Sequence, residues 1–280
     1  MSTSRSAPDD GAFHSTLASG ASSASVPAVE AVGLQKSYGS HLAVKGIDFA
    51  VRQGEIVGFL GPNGAGKTTT MKMLTGLLRP SAGRAAILGH DIQREPVAAK
   101  ACFGYVPDTP NLYGKLRGRE FLRFMARLYR VPPAQAEKRA TELLQLFSLA
   151  DAAGDLIEGY SHGMQQKLAL SGALIHDPRV LFLDEPTVGL DPRSARLIKE
   201  VLVQLRHRGV AVFLSTHILE IAERLCDRLV IVDKGQVVAA GTMAELRERA
   251  ESAGAAGTLE DIFLRLTGGE DHAAVAALLE

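Results

Sequence analysis

The chain has little charge of either sign to spare. Lysine plus arginine and aspartate plus glutamate number 31 each in 280 residues, a formal net charge of zero. No one-signed field therefore advertises nucleic acid or an acidic membrane surface as a partner. Cysteine is equally scarce. Cys102 and Cys226 are far apart in sequence and sit among apolar residues, which fits two free core thiols in a reducing cytosol better than a disulfide framework. Long apolar runs are missing too: the best candidates, Val180 to Leu183 and Ala211 to Leu214, fall far short of the roughly 20 residues that cross a bilayer. On this reading the chain does not span a membrane. Residues 1–28, rich in Ser, Ala and Gly and holding Asp9-Asp10, lack the basic start and continuous apolar stretch of a secretory signal. They are expected to form a disordered leader.

Against these absences stands one dense motif. Gly61-Pro62-Asn63-Gly64-Ala65-Gly66-Lys67-Thr68 fits the GxxxxGK-Ser/Thr phosphate-binding loop at every constrained position. Such a loop curls backbone N–H groups around phosphates, its lysine neutralises β and γ charge, and its hydroxyl ligates magnesium. The context fits: Glu55 to Leu60 reads as a buried strand, and the residues from Thr69 to Gly76 as a helix stopped by glycine. The motif predicts a bound nucleoside triphosphate.

The chain around it divides by pattern. From Val29 to Gly54 alternating apolar residues predict three short strands, near Val29–Val32, Tyr38–Ser40 and Gly46–Gly54, in an antiparallel patch. Arg84 to Gly89 adds another short strand after the Pro80-Ser81-Ala82-Gly83 turn. Phe121, Phe124, Met125 and Leu128 then share a helix face, Pro132-Pro133 interrupts, and Leu143, Leu144 and Phe147 line a second helix from Ala136. Beyond Gly163 strands and helices alternate: Val180 to Leu183, Ser194 to His207, Val210 to Leu214, Leu219 to Cys226, Arg228 to Val232. Continuous apolar strands between amphipathic helices predict a parallel sheet covered on both faces. Thr258-Leu259-Glu260-Asp261 is a capping box that opens a short terminal helix, with residues 253–257 as its linker.

The strand Val180 to Leu183 ends in Asp184-Glu185-Pro186. Carboxyl ends of parallel strands face the ligand crevice, so Asp184 can reach a hydrated magnesium ion and Glu185 a water attacking the γ-phosphate. Ser161 is placed to cap a helix N-terminus, which is itself an anion site.

Together the two motifs, with Tyr160-Ser161-His162-Gly163-Met164-Gln165, Gly189-Leu190-Asp191 and Ser215-Thr216-His217, resemble the nucleotide-binding subunit of ATP-binding cassette (ABC) transporters from about Val29 to the C-terminus. The resemblance implies an α/β fold: a P-loop parallel-sheet core, a small antiparallel β patch and an inserted helical lobe. The expected division is an ATPase domain over 29–245, its lobe over about 110–159, and a C-terminal extension over 246–280 with a short helix. Tyr38 stands where the family stacks an aromatic on adenine. Gly61 to Thr69 bind the phosphates, with Thr68 and Asp184 on magnesium; Lys67, Glu185 and His217 serve the reaction, and Asp191 lies in the loop that communicates between two sites. Ser161, His162 and Gly163 form a signature that touches the γ-phosphate across a dimer.

The sequence leaves the family pattern twice. The common Leu-Ser-Gly-Gly-Gln signature is here Tyr160-Ser161-His162-Gly163-Met164, which keeps Ser161 and Gly163. In Gly104-Tyr105-Val106-Pro107-Asp108, Asp108 stands where the family usually has a magnesium-ligating glutamine. Aspartate could still ligate through oxygen, with added negative charge. These departures and Leu259-Glu260-Asp261-Ile262-Phe263-Leu264 look like the type 2 export branch. The resemblance therefore implies ATP and Mg2+ as cofactors, a homodimer or heterodimer of ATPase subunits, separate membrane permease subunits, and a cytoplasmic location on the inner face of the membrane. The rival, a soluble cassette ATPase acting on ribosome or DNA, is disfavoured by a single uninterrupted cassette without Cys-x-x-Cys, and no nucleic acid is expected.

Overall fold

The structure is a computed structural model that describes residues 26–252 and 258–267. Two sheets carry it. A four-stranded antiparallel sheet runs β2 (His41–Val51), β1 (Val29–Tyr38), β4 (Ala82–Ile87), β5 (His90–Asp91). A six-stranded sheet runs β10 (Gln236–Gly241), β9 (Arg228–Asp233), β3 (Ile56–Leu60), β8 (Ala211–Thr216), β7 (Val180–Asp184), β6 (Phe103–Val106). All its pairings are parallel except β9 with β10. The expected parallel core is present, with an antiparallel edge. Every residue of β3, β7 and β8 is buried, which is why those strands are apolar without alternation.

Phenylalanines fill the space between the sheets. Phe49 stacks on Phe213 with centroids 5.1 Å apart, Phe59 meets Phe213 at 5.3 Å, and Phe103 meets Phe182 edge-on at 5.2 Å. Helix α1 (Lys67–Leu74) lies in this layer, its Met71, Met73 and Leu74 fully enclosed. On the other side of the large sheet, α5 (His162–Leu174) is buried along most of its length and joins core to lobe. It lies so close to β6 that a Cβ on Gly104 would fall 2.3 Å from the Ala173 carbonyl oxygen. The lobe is α3 (Gly118–Leu128), α4 (Pro133–Leu146) and a 3₁₀ turn at Ile157–Gly159. Phe121, Leu144, Phe147 and Leu168 share its core. Short α2 (Pro96–Ala101) precedes β6; α6 (Pro192–His207) and α7 (Leu219–Leu225) cover the parallel sheet; α8 (Met243–Ser252) and α9 (Leu259–Leu266) close over β9 and α7.

Three expectations change. The antiparallel patch holds two long strands, not three short ones: Tyr38 ends β1, and Gly39 at φ +59 turns with Ser40 into β2. Cys102 and Cys226 are free but half-buried rather than enclosed. Of the leader, only residues 26–28 are described, and Ala28 is already buried and donates to the Val51 carbonyl. The expected linker over 253–257 and the chain beyond 267 lie outside the described residues; α9 is present where the Thr258 capping box placed it, with Thr258 accepting from the Asp261 N–H.

Candidate functional site

The loop between β3 and α1 has backbone shapes that side chains would obstruct. A Cβ on Gly61 would lie 2.4 Å from the Val232 carbonyl oxygen, and Gly66, at φ +99, has Ala43 oxygen 3.0 Å from the same hypothetical atom. Gly64, at φ +80, faces open space. Ala65 is buried, donates to the Pro62 carbonyl and accepts from Gly235, so the loop is fixed from within. The first turn of α1 follows, with the unpaired N–H groups every helix start presents. Lys67 is 8% exposed, donates to the Gly61 and Pro62 carbonyls at 2.8 and 3.2 Å, and lies 3.9 Å from Glu185 Oε1. Burial lowers its pKa, opposed by the Glu185 and Asp184 carboxylates.

The register of the parallel sheet delivers the acids. Leu60, Thr216 and Asp184 end neighbouring strands, with Leu60 opposite Thr216 and Asp184 opposite Ser215. Asp184 is 1% exposed; the Ser215 hydroxyl donates to its Oδ1, and its Oδ2 is enclosed without a partner. Burial pushes its carboxyl above the ordinary value, against the Ser215 and Thr68 hydroxyls, while Asp108 and Glu185 add to the rise. Glu185 leaves the strand at φ +49, an uncommon conformation for a non-glycine residue. Its N–H meets the Ser215 carbonyl and hydroxyl oxygens, each at 3.2 Å. Its Oε1 lies 2.9 Å from His217 Nδ1, and its Oε2 is enclosed without a partner.

A cleft of about 460 Å³ opens between these groups, and Asn63, Thr68, Thr69, Asp108, Glu185 and His217 are among its walls. The structure thus gathers the phosphate loop, the acids and His217 in one place. Gly61, Pro62 and Ala65 stand behind the wall as its frame. Asp108 is exposed, its Oδ1 accepting from the Thr109 N–H at 2.7 Å in a tight turn. Tyr38 does not line the cleft; its ring is half exposed at the end of β1, with the Lys36 ammonium 5.5 Å over it.

Ser161, His162 and Gly163 start α5, with Ser161 accepting from the Met164 N–H at 3.3 Å. Ser161 and His162 are exposed. Asp191 caps α6, accepting from Ser194, which holds its carboxyl below the ordinary value. Sequence reasoning gave no separate role to Ser215 or to the Val188-Gly189 contact with His162. For Ser215 the pairing with Asp184 appears only in the sheet register, where the two stand on neighbouring strands.

The comparisons agree with this geometry. The family model described as ABC transporter matches residues 44–188. A daunorubicin resistance ATP-binding protein of Streptomyces coeruleorubidus is 42% identical over 251 residues, 90% of this chain and 78% of the relative. A fluoroquinolones export ATP-binding protein of Mycobacterium tuberculosis is 43% identical over 244 residues, 85% of this chain and 80% of the relative. Among solved structures, a dimeric post-hydrolysis state of an ATP-binding cassette bound to ADP and Pi superposes with a TM-score of 0.71 at 26% identity, over 76% of this chain and 98% of that one. With a family model matched over more than half of its length and relatives above 40% identity, this chain belongs to the ABC transporter family as an ATP-binding, ATP-hydrolysing member.

Proposed function

We propose that the chain binds ATP in the cleft and drives export through separate membrane permease subunits, working as a dimer whose two ATP sites are each shared between subunits. The observation that carries the reading is the cluster of Lys67, Glu185 and His217, in which one carboxylate oxygen lies 3.9 Å from the ammonium and 2.9 Å from the imidazole. In this reading Lys67 leaves its carbonyl partners for the β- and γ-phosphates. Glu185, held by His217, polarises the attacking water, and His217 also meets the γ-phosphate. Tyr38 stacks on adenine with its exposed ring. Ser161, His162 and Gly163 present the start of α5 to the triphosphate on the opposite subunit, and Asp191 lies between the two sites.

Asp184, with its Oδ2 enclosed and unpartnered and the Thr68 hydroxyl near its carboxyl, fits a hard divalent cation with oxygen ligands. Thr68 and Asp184 would hold Mg2+, with Asp108 facing the same cleft; when bound, the ion neutralises charge on the β- and γ-oxygens. Phosphoryl transfer asks mostly for positioning and charge stabilisation, and that is what these residues supply. The domain reading, with the ATPase over 29–245 and an extension over 246–280, belongs to this proposal.

Export follows from likeness to relatives named for drug export and resistance. No helix among the described residues is long and apolar enough to cross a membrane, so a transport path needs other subunits, and the chain would sit on the inner face of the membrane. The test is Glu185→Gln. Turnover is expected to fall about 100-fold or more, as for loss of a general base, with ATP binding near normal and an ATP-bound dimer accumulating. Full steady-state hydrolysis by the variant would defeat the reading.

A further inference from the structure

The first turn of α5 is tied to the loop that follows Glu185 in the same chain. His162 Nε2 lies 3.4 Å from the Val188 carbonyl oxygen, a long hydrogen bond in the tautomer that carries the proton on Nε2. The ring also lies against Gly189: at φ +72, a Cβ there would fall 3.3 Å from both Cδ2 and Nε2 of His162. The backbone at 189 favours glycine, and a side chain there would also press on the ring. Behind this contact Gln166, 2% exposed, donates to the Pro186 carbonyl at 3.4 Å. Gly163 faces Leu190, and Leu190 and Met164 both pack against the core of the lobe.

The loop is closed on itself. Val188 N–H donates to the Glu185 carbonyl at 3.2 Å and Leu190 N–H to the Thr187 carbonyl at 3.4 Å. One short segment therefore holds Glu185 at its start and bears on the Ser161-to-Gly163 turn along its side. Glycine, which the resembled family commonly has at the position of His162, could make no side-chain contact with it.

We propose that His162 is a positioning residue, a latch that fixes the N-terminus of α5 against Val188-Gly189 before the second subunit arrives. The proposal rests on the shared-site reading above. A turn already held in place in the single subunit has less freedom left to lose when it closes over a triphosphate. The latch therefore acts on the ATP concentration needed for closure, and much less on the rate once closed.

The test is steady-state hydrolysis by the full chain carrying His162→Ala, with His162→Gln as the conservative partner. Alanine removes the ring without the backbone freedom that glycine would add. Glutamine keeps an amide donor that can reach the Val188 carbonyl. His162→Ala is expected to raise KM for ATP about three- to tenfold, the scale of one hydrogen bond and one ordered side chain, with kcat lowered less than about twofold. His162→Gln is expected to recover most of the KM. Equal KM for wild type and His162→Ala, no recovery by glutamine, or a loss confined to kcat would each overturn the latch. A Ser161→Arg arm separates the two layers. If it leaves hydrolysis intact, the shared-site reading fails; if it abolishes hydrolysis while His162→Ala matches wild type, only the latch fails.

Discussion

The two ends of the chemistry in this chain are built in opposite ways. Around the phosphate loop, Lys67 and Asp184 are buried, Glu185 is mostly enclosed, and their partners come from the ends of β7 and β8 and the loops that follow β3, β7 and β8. At the start of α5 and at Asp191 the capping side chains are exposed and are satisfied from within their own helices. The first region is costly to build and is assembled within one chain, because a buried ammonium needs carboxylates nearby, although Asp184 Oδ2 and Glu185 Oε2 are left without partners. The second is inexpensive and unfinished. An exposed helix start offers N–H groups to an anion, as the proposed shared site requires.

That contrast can be sharpened by substitution, starting where the loss is largest. Lys67→Ala removes the ammonium that faces the buried acids, and hydrolysis is expected to fall about 100- to 1,000-fold, the range for losing a preorganised charge donor; steady-state kinetics would show it, and a loss under tenfold would deny Lys67 its role. A second test uses the far end of α5. His176, just past that helix, stacks on Tyr129 at 3.6 Å and meets the Phe103 carbonyl with Nε2, and burial pushes its pKa down to about 4. Between pH 6.5 and about 4 the unfolded chain takes the proton and the native one does not, so stability falls as pH falls through that window. Discounting for partial exposure, the loss is about 2 kcal/mol. Thermal melting of wild type and His176→Gln across that range reads it, and identical acid sensitivity would place the effect elsewhere.

Smaller effects lie at the edges. Asp108→Ala is expected to change nucleotide affinity by less than about tenfold, or 1.4 kcal/mol, since Lys67 and the loop N–H groups still hold the phosphates. The resemblance also implies that this position relays nucleotide state to the membrane partner, so in vesicles reconstituted with the permease the variant is expected to uncouple hydrolysis from transport. Unchanged coupling would reduce Asp108 to a turn residue. Ser161→Ala removes one N-cap and is expected to cost about 1 kcal/mol of stability. Denaturant unfolding measures it, and a cost above about 3 kcal/mol would show that Ser161 is embedded rather than presented.

Much of this was legible in the sequence because the constraints are local. Gly61 to Thr68 must be spelled out where a Cβ collides with Val232 or Ala43, and Asp184-Glu185 follows a strand too apolar to be anything but central. The capping box at Thr258 was equally explicit. What stayed hidden depends on partners distant in sequence. Strand β10 and helix α8 carry no strong period, since β10 is an edge strand only partly covered, and α8 takes its place from β10 and α9. The strand expected over Tyr38–Ser40 is instead the end of β1 and the turn that leads into β2. Neither the positive φ of Glu185 nor the contact of His162 with Gly189 can be read from either residue alone.

The central claim is that the buried and exposed halves serve each other across two subunits. Mixing a Lys67→Ala subunit with a Ser161→Arg subunit tests it most directly, because each lacks what the other keeps. Random pairing makes about half of the dimers mixed, each with one intact site of two, so ATPase activity of about one quarter of wild type is expected from two nearly inactive parents. A mixture that never exceeds its parents at any ratio would contradict the account.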